Sequence, residues 1–173
     1  MSNNPLVKLA KETIRSYITN KVTPQPPEDL AKEFMERRGV FVSIKKHGQL
    51  RGCIGTVEPT KNNVAEEVIH NAISASTQDP RFPAITPDEL EDLTISVDLL
   101  SSLEKVTDPD RLDPKKYGII VSCKSKKGVL LPNLEGIDTI KEQLRIAKDK
   151  GGIAHQEKFE IQRFEVKRYH DQP

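Results

Sequence analysis

The sequence contains no tryptophan and only two cysteines, and aromatic side chains make up 5% of its 173 residues. Cys53 and Cys123 lie far apart and are too few for the disulfide framework of a small secreted domain. So few cysteines are typical of a reducing compartment, and no signal-peptide pattern opens the chain. We therefore expect a cytoplasmic protein.

Long apolar runs and an excess of charge of one sign are also missing. No apolar stretch approaches the roughly 20 residues of a membrane span, so we expect no membrane partner. The chain has 27 basic and 26 acidic residues, a net charge of +1. It lacks the basic footprint of a nucleic-acid-binding domain, so we expect no nucleic-acid partner. Its length is ordinary for one domain, which we expect to span residues 1–173.

Several signatures of catalytic and cofactor sites are absent. There is no Walker loop, no dinucleotide fingerprint, no Cys-x-x-Cys and no His-Glu-x-x-His. The four histidines are scattered, and their spacing assembles no metal site. We therefore predict no metal ligands, and the sequence leaves the cofactor unknown.

Apolar residues at helical spacing predict three helices. The first begins at Asn4-Pro5 and ends before Thr23, the second runs from about Asn63 to Ser76, and the third is closed by Gly151-Gly152. Thr86 to Glu89 form a capping box, which predicts a short helical turn.

Runs rich in β-branched residues, and runs of alternating polarity, predict the strands. They cover residues 40–44, a return strand that starts at Leu50, and residues 93–99, 118–124 and 159–169. Most neighbours look like hairpins, so we predict an α+β fold with a mainly antiparallel sheet and flanking helices. The alternative is a doubly wound parallel sheet.

Two irregularities in the strand pattern require interpretation. Residues 118–124 echo residues 39–45, and each echo is followed by lysines and a glycine, Gly48 or Gly128. An internal duplication of one hairpin and a chance similarity both explain the echo. In the last strand the apolar alternation changes phase near Gln162-Arg163, which predicts a β-bulge there.

The hexapeptide Leu50–Gly55 is the most site-like stretch of the chain. Its two glycines predict a tight bend that exposes Cys53 or the N–H groups beside it. Cys53 is either a nucleophile of lowered pKa or a small buried cysteine, and burial is favoured because free cysteine is usually inert. For Arg51 we weigh a bidentate anion contact against a structural salt bridge.

A rigid loop, Asp79-Pro80-Arg81-Phe82-Pro83, follows the second predicted helix. The simplest interpretation of Asp79 and Arg81 is a structural pair that fixes the loop. Because the helix returns the chain toward its start, we expect residues 79–82 to meet residues 51–55. We also expect Cys53 to be partly exposed at most.

Four segments, residues 39–42, 50–55, 79–83 and 128–132, occur in the order seen in the AMMECR family. The match covers nearly the whole chain, and the Leu-Arg-Gly-Cys-Ile-Gly hexapeptide is its most specific part. The sequence therefore resembles that family, whose bacterial and archaeal members include the AmmeMemoRadiSam system protein A.

The resemblance implies two unequal lobes on antiparallel sheets, with the hexapeptide lining a cleft between them. It also implies a pathway shared with a Memo-like protein and a radical SAM protein. Two functions stay open: an enzyme acting on a small substrate or peptide in the cleft, or a non-catalytic module that recognises a protein partner or an anion. Cys53 is the candidate catalytic residue, and the candidate binding residues are Arg51, Gly52, Ile54, Gly55, Asp79, Arg81 and Phe82.

Overall fold

The computed structural model describes residues 4–171, which form two compact units. The described part of the first unit comprises residues 4–100 and 167–171, and the second unit comprises Ser101–Val166. The helices are α1 (Pro5–Asn20), α2 (Val64–Thr77) and α3 (Ile140–Gly151). The strands are β1 (Val40–Lys46), β2 (Gln49–Thr56), β3 (Leu93–Leu100), β4 (Glu104–Val106), β5 (Gly118–Cys123), β6 (Lys126–Leu130), β7 (Glu160–Phe164) and β8 (Val166–His170).

The helices begin and end where local capping chemistry places them. The side chain of Asn4 accepts hydrogen bonds from the first turn of α1, and Pro5 is its first residue. The Asn63 side chain caps α2 by accepting from the N–H of Glu66 at 2.9 Å. At the end of α3, Gly152 adopts the left-handed conformation that terminates many helices. All three predicted helices are confirmed.

The first unit is a four-stranded sheet, in the order β2-β1-β3-β8, packed against α1 and α2. Alternate residues of β1 (Val40, Val42 and Ile44) are completely buried in the core of this unit. Residues between them, such as Phe41 and Ser43, are only half-buried. This alternation gives the sheet a helix-covered face and an opposite face, and we call the latter the outer face.

The second unit has its own four-stranded sheet, in the order β4-β7-β5-β6, with α3 packed on β5 and β6. Its core is a separate cluster that includes Ile119, Val121, Leu130 and Ala147. Every strand pair with a described register is antiparallel. The α+β prediction is confirmed, and the parallel alternative is wrong.

The two units share one connectivity. In each, a hairpin is followed by a helix and then by a strand that pairs with the free side of the first hairpin strand. A buried amide in the helix bonds the start of that central strand in both cases. Asn71 donates to the carbonyl of Val40 at 2.9 Å, and Gln143 donates to the carbonyl of Tyr117 at 2.8 Å. The two units are therefore similar in connectivity, but this correspondence is shifted by two residues from the sequence echo, and the internal duplication stays a prediction.

The glycines of the two hairpins correspond differently from the sequence echo. Gly128 is not a turn residue, because it lies within β6 opposite Val121. Its counterpart is Gly52: a Cβ on Gly52 would collide with the carbonyl oxygen of Ala75 in α2, and one on Gly128 with that of Ala147 in α3. Gly48 occupies the first turn with a φ of 79°.

The predicted β-bulge at Gln162-Arg163 is wrong. The register of β5 with β7 is regular from Gly118 opposite Phe164 to Ser122 opposite Glu160. The alternation changes because the chain leaves one sheet at Glu165 and joins the other as β8. Two short strands in different sheets therefore replace the single long strand that we expected.

The close approach of strand and helix generates a prediction for stability. Gly52→Ala and Gly128→Ala each force a methyl group into a helix carbonyl, so each should destabilise the protein by about 1–3 kcal/mol. Urea unfolding followed by circular dichroism measures the cost. Gly48→Asn is the control, because the position has open space and asparagine tolerates a positive φ. Equal costs for all three variants would contradict the packing explanation.

Candidate functional site

The motif strand contains a β-bulge, and the predicted bend at Gly52 is wrong. Ile44 pairs with Gly52 and Lys45 pairs with Leu50, so Arg51 is the extra residue of β2. From Gly52 to Thr56 the strand is regularly paired with β1. Close packing, rather than a turn, explains the motif glycines, because a Cβ on Gly55 would overlap the ring of Phe41.

Cys53 lies on the outer face of the first sheet, opposite Ser43 of β1. The residue is partly exposed, as predicted, and its sulfur lies 3.2 Å from the Ser43 hydroxyl oxygen. Its backbone N–H points away from β1, since β2 is the edge strand, and donates to Asp79 Oδ2 at 3.0 Å. The predicted meeting of residues 51–55 with residues 79–82 is thereby confirmed.

Asp79 is a buried carboxylate with four hydrogen-bond donors. Besides the Cys53 N–H, it accepts from the N–H of Arg81 at 3.0 Å and from the Arg81 guanidinium at 3.0 and 2.8 Å. The guanidinium holds the pKa of Asp79 well below its usual range; burial opposes the shift, and the two N–H donors add to it. The Asp79 side chain is 2% exposed, whereas that of Arg81 is 55% exposed.

A second aspartate–arginine pair lies on the sheet that carries Cys53. Asp98 of β3, whose side chain is 2% exposed, accepts two hydrogen bonds from Arg168 of β8, at 2.7 and 2.9 Å. The Arg168 side chain is 46% exposed. Asp98 raises the pKa of Arg168, and Asp79 raises the pKa of Arg81. Both aspartates lie close to Cys53, because Asp79 accepts from the Cys53 N–H and Asp98 lies opposite Phe41 of β1, two residues before Ser43.

Arg51 is fully engaged by a different segment. Its guanidinium forms a bidentate pair with Glu89 at 3.1 Å and donates to the carbonyls of Pro83 at 2.7 Å and Ala84 at 3.3 Å. Arg51 lowers the pKa of Glu89 to about 2, burial opposes the shift, and the Thr86 N–H and Lys46 add to it. This geometry matches the structural salt bridge rather than a free anion-binding arginine.

The remaining candidate residues support the site without adding polar chemistry to it. Ile54 is half-buried and packs against the core of the first unit. Phe82 lies beneath Arg81, with the guanidinium carbon 5.4 Å from the ring centroid. Cys123 is buried, and the Glu157 carboxylate that accepts its S–H at 3.3 Å raises its pKa.

Residues 4–171 contain no group of three or more histidine, cysteine or acidic side chains that could hold a metal ion. Within the same residues, no helix is long and apolar enough to cross a membrane.

No sequence pattern pointed to Ser43, Asp98 or Arg168 as site residues. Asp98 is a polar residue of an alternating strand, where a solvent-facing carboxylate is the usual expectation. Its partner is seventy positions away in sequence, and no local pattern connects the two. Glu89 was assigned only to the capping box, which the structure confirms, since its carboxylate accepts from the Thr86 N–H at 2.8 Å. Its pairing with Arg51 is a second role.

Comparison with known proteins gives consistent matches along the chain. The family model AMMECR1 matches residues 7–172. The chain is 50% identical over 172 residues to a Thermotoga maritima protein, covering 98% of this chain and 99% of that protein. It is 49% identical over 168 residues to a longer Clostridium acetobutylicum protein, covering 96% of this chain and 36% of that one. The crystal structure of an uncharacterized Pyrococcus horikoshii protein is similar at a TM-score of 0.89 and 28% identity, covering 96% of this chain and 90% of that one.

Asp79 should contribute stability that depends on pH. Because its pKa is lower folded than unfolded, the contribution is fully present above the unfolded value of about 4 and is lost as pH falls below it. Asp79→Asn should therefore cost about 1–3 kcal/mol at pH 7, and the cost should shrink in acid. Urea titrations at pH 7 and pH 3 measure it, with the exposed Asp29→Asn as control. A cost that is unchanged at pH 3 would refute the charge explanation.

Arg51 should not tolerate replacement by lysine. A lysine has one ammonium group and cannot reproduce the fork that reaches Glu89, Pro83 and Ala84 together. We expect Arg51→Lys to destabilise the protein by about 1–3 kcal/mol, measured by urea unfolding. Arg15→Lys is the matched control, because Arg15 and its partner Glu91 are both exposed, and it should cost less than about 0.5 kcal/mol. Equal effects would contradict the assignment.

Proposed function

The chain belongs to the AMMECR1 family, and we propose that it is an enzyme acting on a small anionic substrate, or on an anionic group of a peptide, at Cys53. We define the Cys53 site as Cys53, Ser43, Asp79, Arg81, Asp98 and Arg168. One observation carries the proposal: two half-exposed arginines are each held by a buried aspartate near one partly exposed cysteine. Asp79 accepts from the Cys53 N–H, and Asp98 lies opposite Phe41, two residues before the Ser43 that contacts the thiol.

The two aspartate–arginine pairs suit anion binding because they fix the guanidinium groups before a ligand arrives. Each aspartate takes Nε and one terminal nitrogen of its arginine. Within the described residues, the other terminal nitrogen of each arginine donates to no protein group, and it remains for a ligand oxygen. An arginine that is already ordered loses less conformational entropy on binding. Carboxylate and phosphate are the anions whose geometry the guanidinium matches.

In this proposal Cys53 is the nucleophile, and Arg81 and Arg168 bind and orient the anionic group beside it. Gly52 lets the strand pack closely against α2, and Gly55 leaves room for the Phe41 ring on the face that carries the thiol. Ser43 holds the sulfur by its hydrogen bond. Arg51, Gly52 and Ile54 then shape the strand and the loop that carry the site, and Phe82 supports Arg81.

A second candidate function is non-catalytic recognition of an anion or of a protein partner at the same residues. One observation favours it: the hydrogen-bond partner of the Cys53 thiol is the Ser43 hydroxyl, not a histidine or carboxylate that could take its proton. In that case Cys53→Ser would preserve binding, since serine can keep the contact with Ser43.

The family resemblance supports a pathway shared with a Memo-like protein and a radical SAM protein, and we propose both as partners. The two free cysteines support a cytoplasmic location. Copurification of each partner with the full chain tests this, with Arg81→Gln and the exposed Arg15→Gln compared. Failure of the wild-type chain to retain either partner would remove the pathway from the proposal and leave the Cys53 site untouched.

Alkylation of Cys53 by reagents of different charge tests the site directly. Iodoacetate carries a carboxylate and iodoacetamide is neutral, so the ratio of their rates reports local attraction of anions. We expect this ratio at Cys53 to exceed that of uncharged 2-mercaptoethanol by about threefold or more, and to fall as salt screens the arginines. Peptide mapping separates Cys53 from Cys123, which faces the Glu157 carboxylate and should favour the neutral reagent.

Variants of the second pair complete this experiment. Arg168→Gln combined with Asp98→Asn removes the guanidinium without leaving a buried charge, and should lower the ratio toward that of 2-mercaptoethanol. Arg15→Gln is the control, since Arg15 pairs with exposed Glu91 and belongs to α1. A Cys53 that reacts with neither reagent would end the nucleophile role. A ratio at Cys53 that equals that of 2-mercaptoethanol would rule out the anion-binding role.

A further inference from the structure

A cavity lined by basic side chains lies in the second unit, which contains none of the Cys53-site residues. Its volume is about 290 Å³, which is small for a ligand site. The helical face of α3 supplies one wall and the segment returning to β7 supplies the other. The lining residues are Lys141, Glu142, Leu144, Arg145, Lys148, His155 and Phe159.

Lys148 gives this cavity its chemical character. It is 7% exposed, and its ammonium donates to the carbonyl of His155 at 3.2 Å. The same nitrogen lies 4.4 Å from the centroid of the Phe159 ring. An ammonium has three N–H donors, so one carbonyl and one ring face leave it incompletely satisfied. Among residues 4–171, no carboxylate forms an ion pair with Lys148.

The acidic groups nearest in sequence are already engaged. Glu142 accepts from the hydroxyl of Thr139 at 2.9 Å, as part of the cap of α3. Asp149 pairs with Arg145 at 3.5 Å. Three basic side chains and one carboxylate line the cavity, and Asp149 balances only Arg145. A nearly buried positive charge such as that of Lys148 is costly unless an anion or water satisfies it.

We propose that this cavity binds a small carboxylate with an apolar body, its carboxylate on Lys148 and its body against Leu144 and Phe159. The spacing of Leu144, Arg145 and Lys148 places them on one helical face, so an anion on the ammonium also lies near the guanidinium of Arg145. The two apolar side chains, both half-buried, favour an organic acid over inorganic phosphate. The proposal is independent of the Cys53 site.

Benzoate is the test probe, and benzamide is its neutral counterpart of the same shape. Both are titrated into the full-length protein and followed by amide chemical shifts. We expect benzoate to shift the amides of residues 141–148 and 155–159, and benzamide to leave them unchanged. Equal shifts with benzamide would overturn the proposal, because the cavity would then be a purely apolar pocket. No shift with benzoate at millimolar concentration would also overturn it.

Variants of the lysine keep the test specific. Lys148→Met should weaken benzoate binding by at least about tenfold, because it removes a charged hydrogen-bond donor and keeps the length of the side chain. Lys148→Arg keeps the charge and should retain binding, which covers the case of a poorly folded methionine variant. Lys150→Met, at an exposed position of the same helix, is the control and should bind as the wild type does. Inorganic phosphate that binds more tightly than benzoate would overturn the choice of an organic acid.

Discussion

The close approach of α2 to β2 at Gly52 is the constraint on which the site depends. The carbonyl of Ala75 occupies the space that any Cβ at position 52 would need. The contact fixes the end of the helix against the motif strand, and Asp79 follows four residues later. From there its carboxylate reaches the Cys53 N–H, the donor that an edge strand would otherwise present to water. This packing therefore brings residues 79–82 into contact with residues 51–55.

Burial of the Asp79 carboxylate explains its bidentate pairing with the Arg81 guanidinium. A carboxylate removed from water must be satisfied by several donors, and here two N–H groups and a bidentate guanidinium supply them. The buried carboxylate of Asp98 is likewise satisfied by a bidentate guanidinium, that of Arg168, which is distant in sequence. Each pair buries its negative group and leaves its positive group half-exposed, so the charge that solvent or a ligand meets beside Cys53 is positive.

Local chemistry predicted the helices and most strands, because caps and alternation act over a few residues. Asn4, Asn63 and Gly152 all cap as their types suggest. The sequence could not show that the chain changes sheets at Glu165, since an alternation that changes phase looks the same for a bulge and for a break. The β-bulge at Arg51 could not be predicted either, because it depends on the register of β2 with β1. The Asp98–Arg168 pair depends on which strands are neighbours, which only the folded topology decides.

The two units share one connectivity, so comparing them shows which residues the packing of helix on strand requires. In both units a glycine of the second hairpin strand lies against an alanine carbonyl, Ala75 or Ala147. Four residues beyond that alanine, the units differ. The first has Asp79, whose carboxylate bonds the strand edge, whereas the second has Gly151, whose backbone lies directly against the Lys127–Gly128 peptide. A glycine there satisfies packing alone. Asp79 is therefore not required by the shared architecture; its carboxylate satisfies the Cys53 N–H at the strand edge and fixes the Arg81 guanidinium.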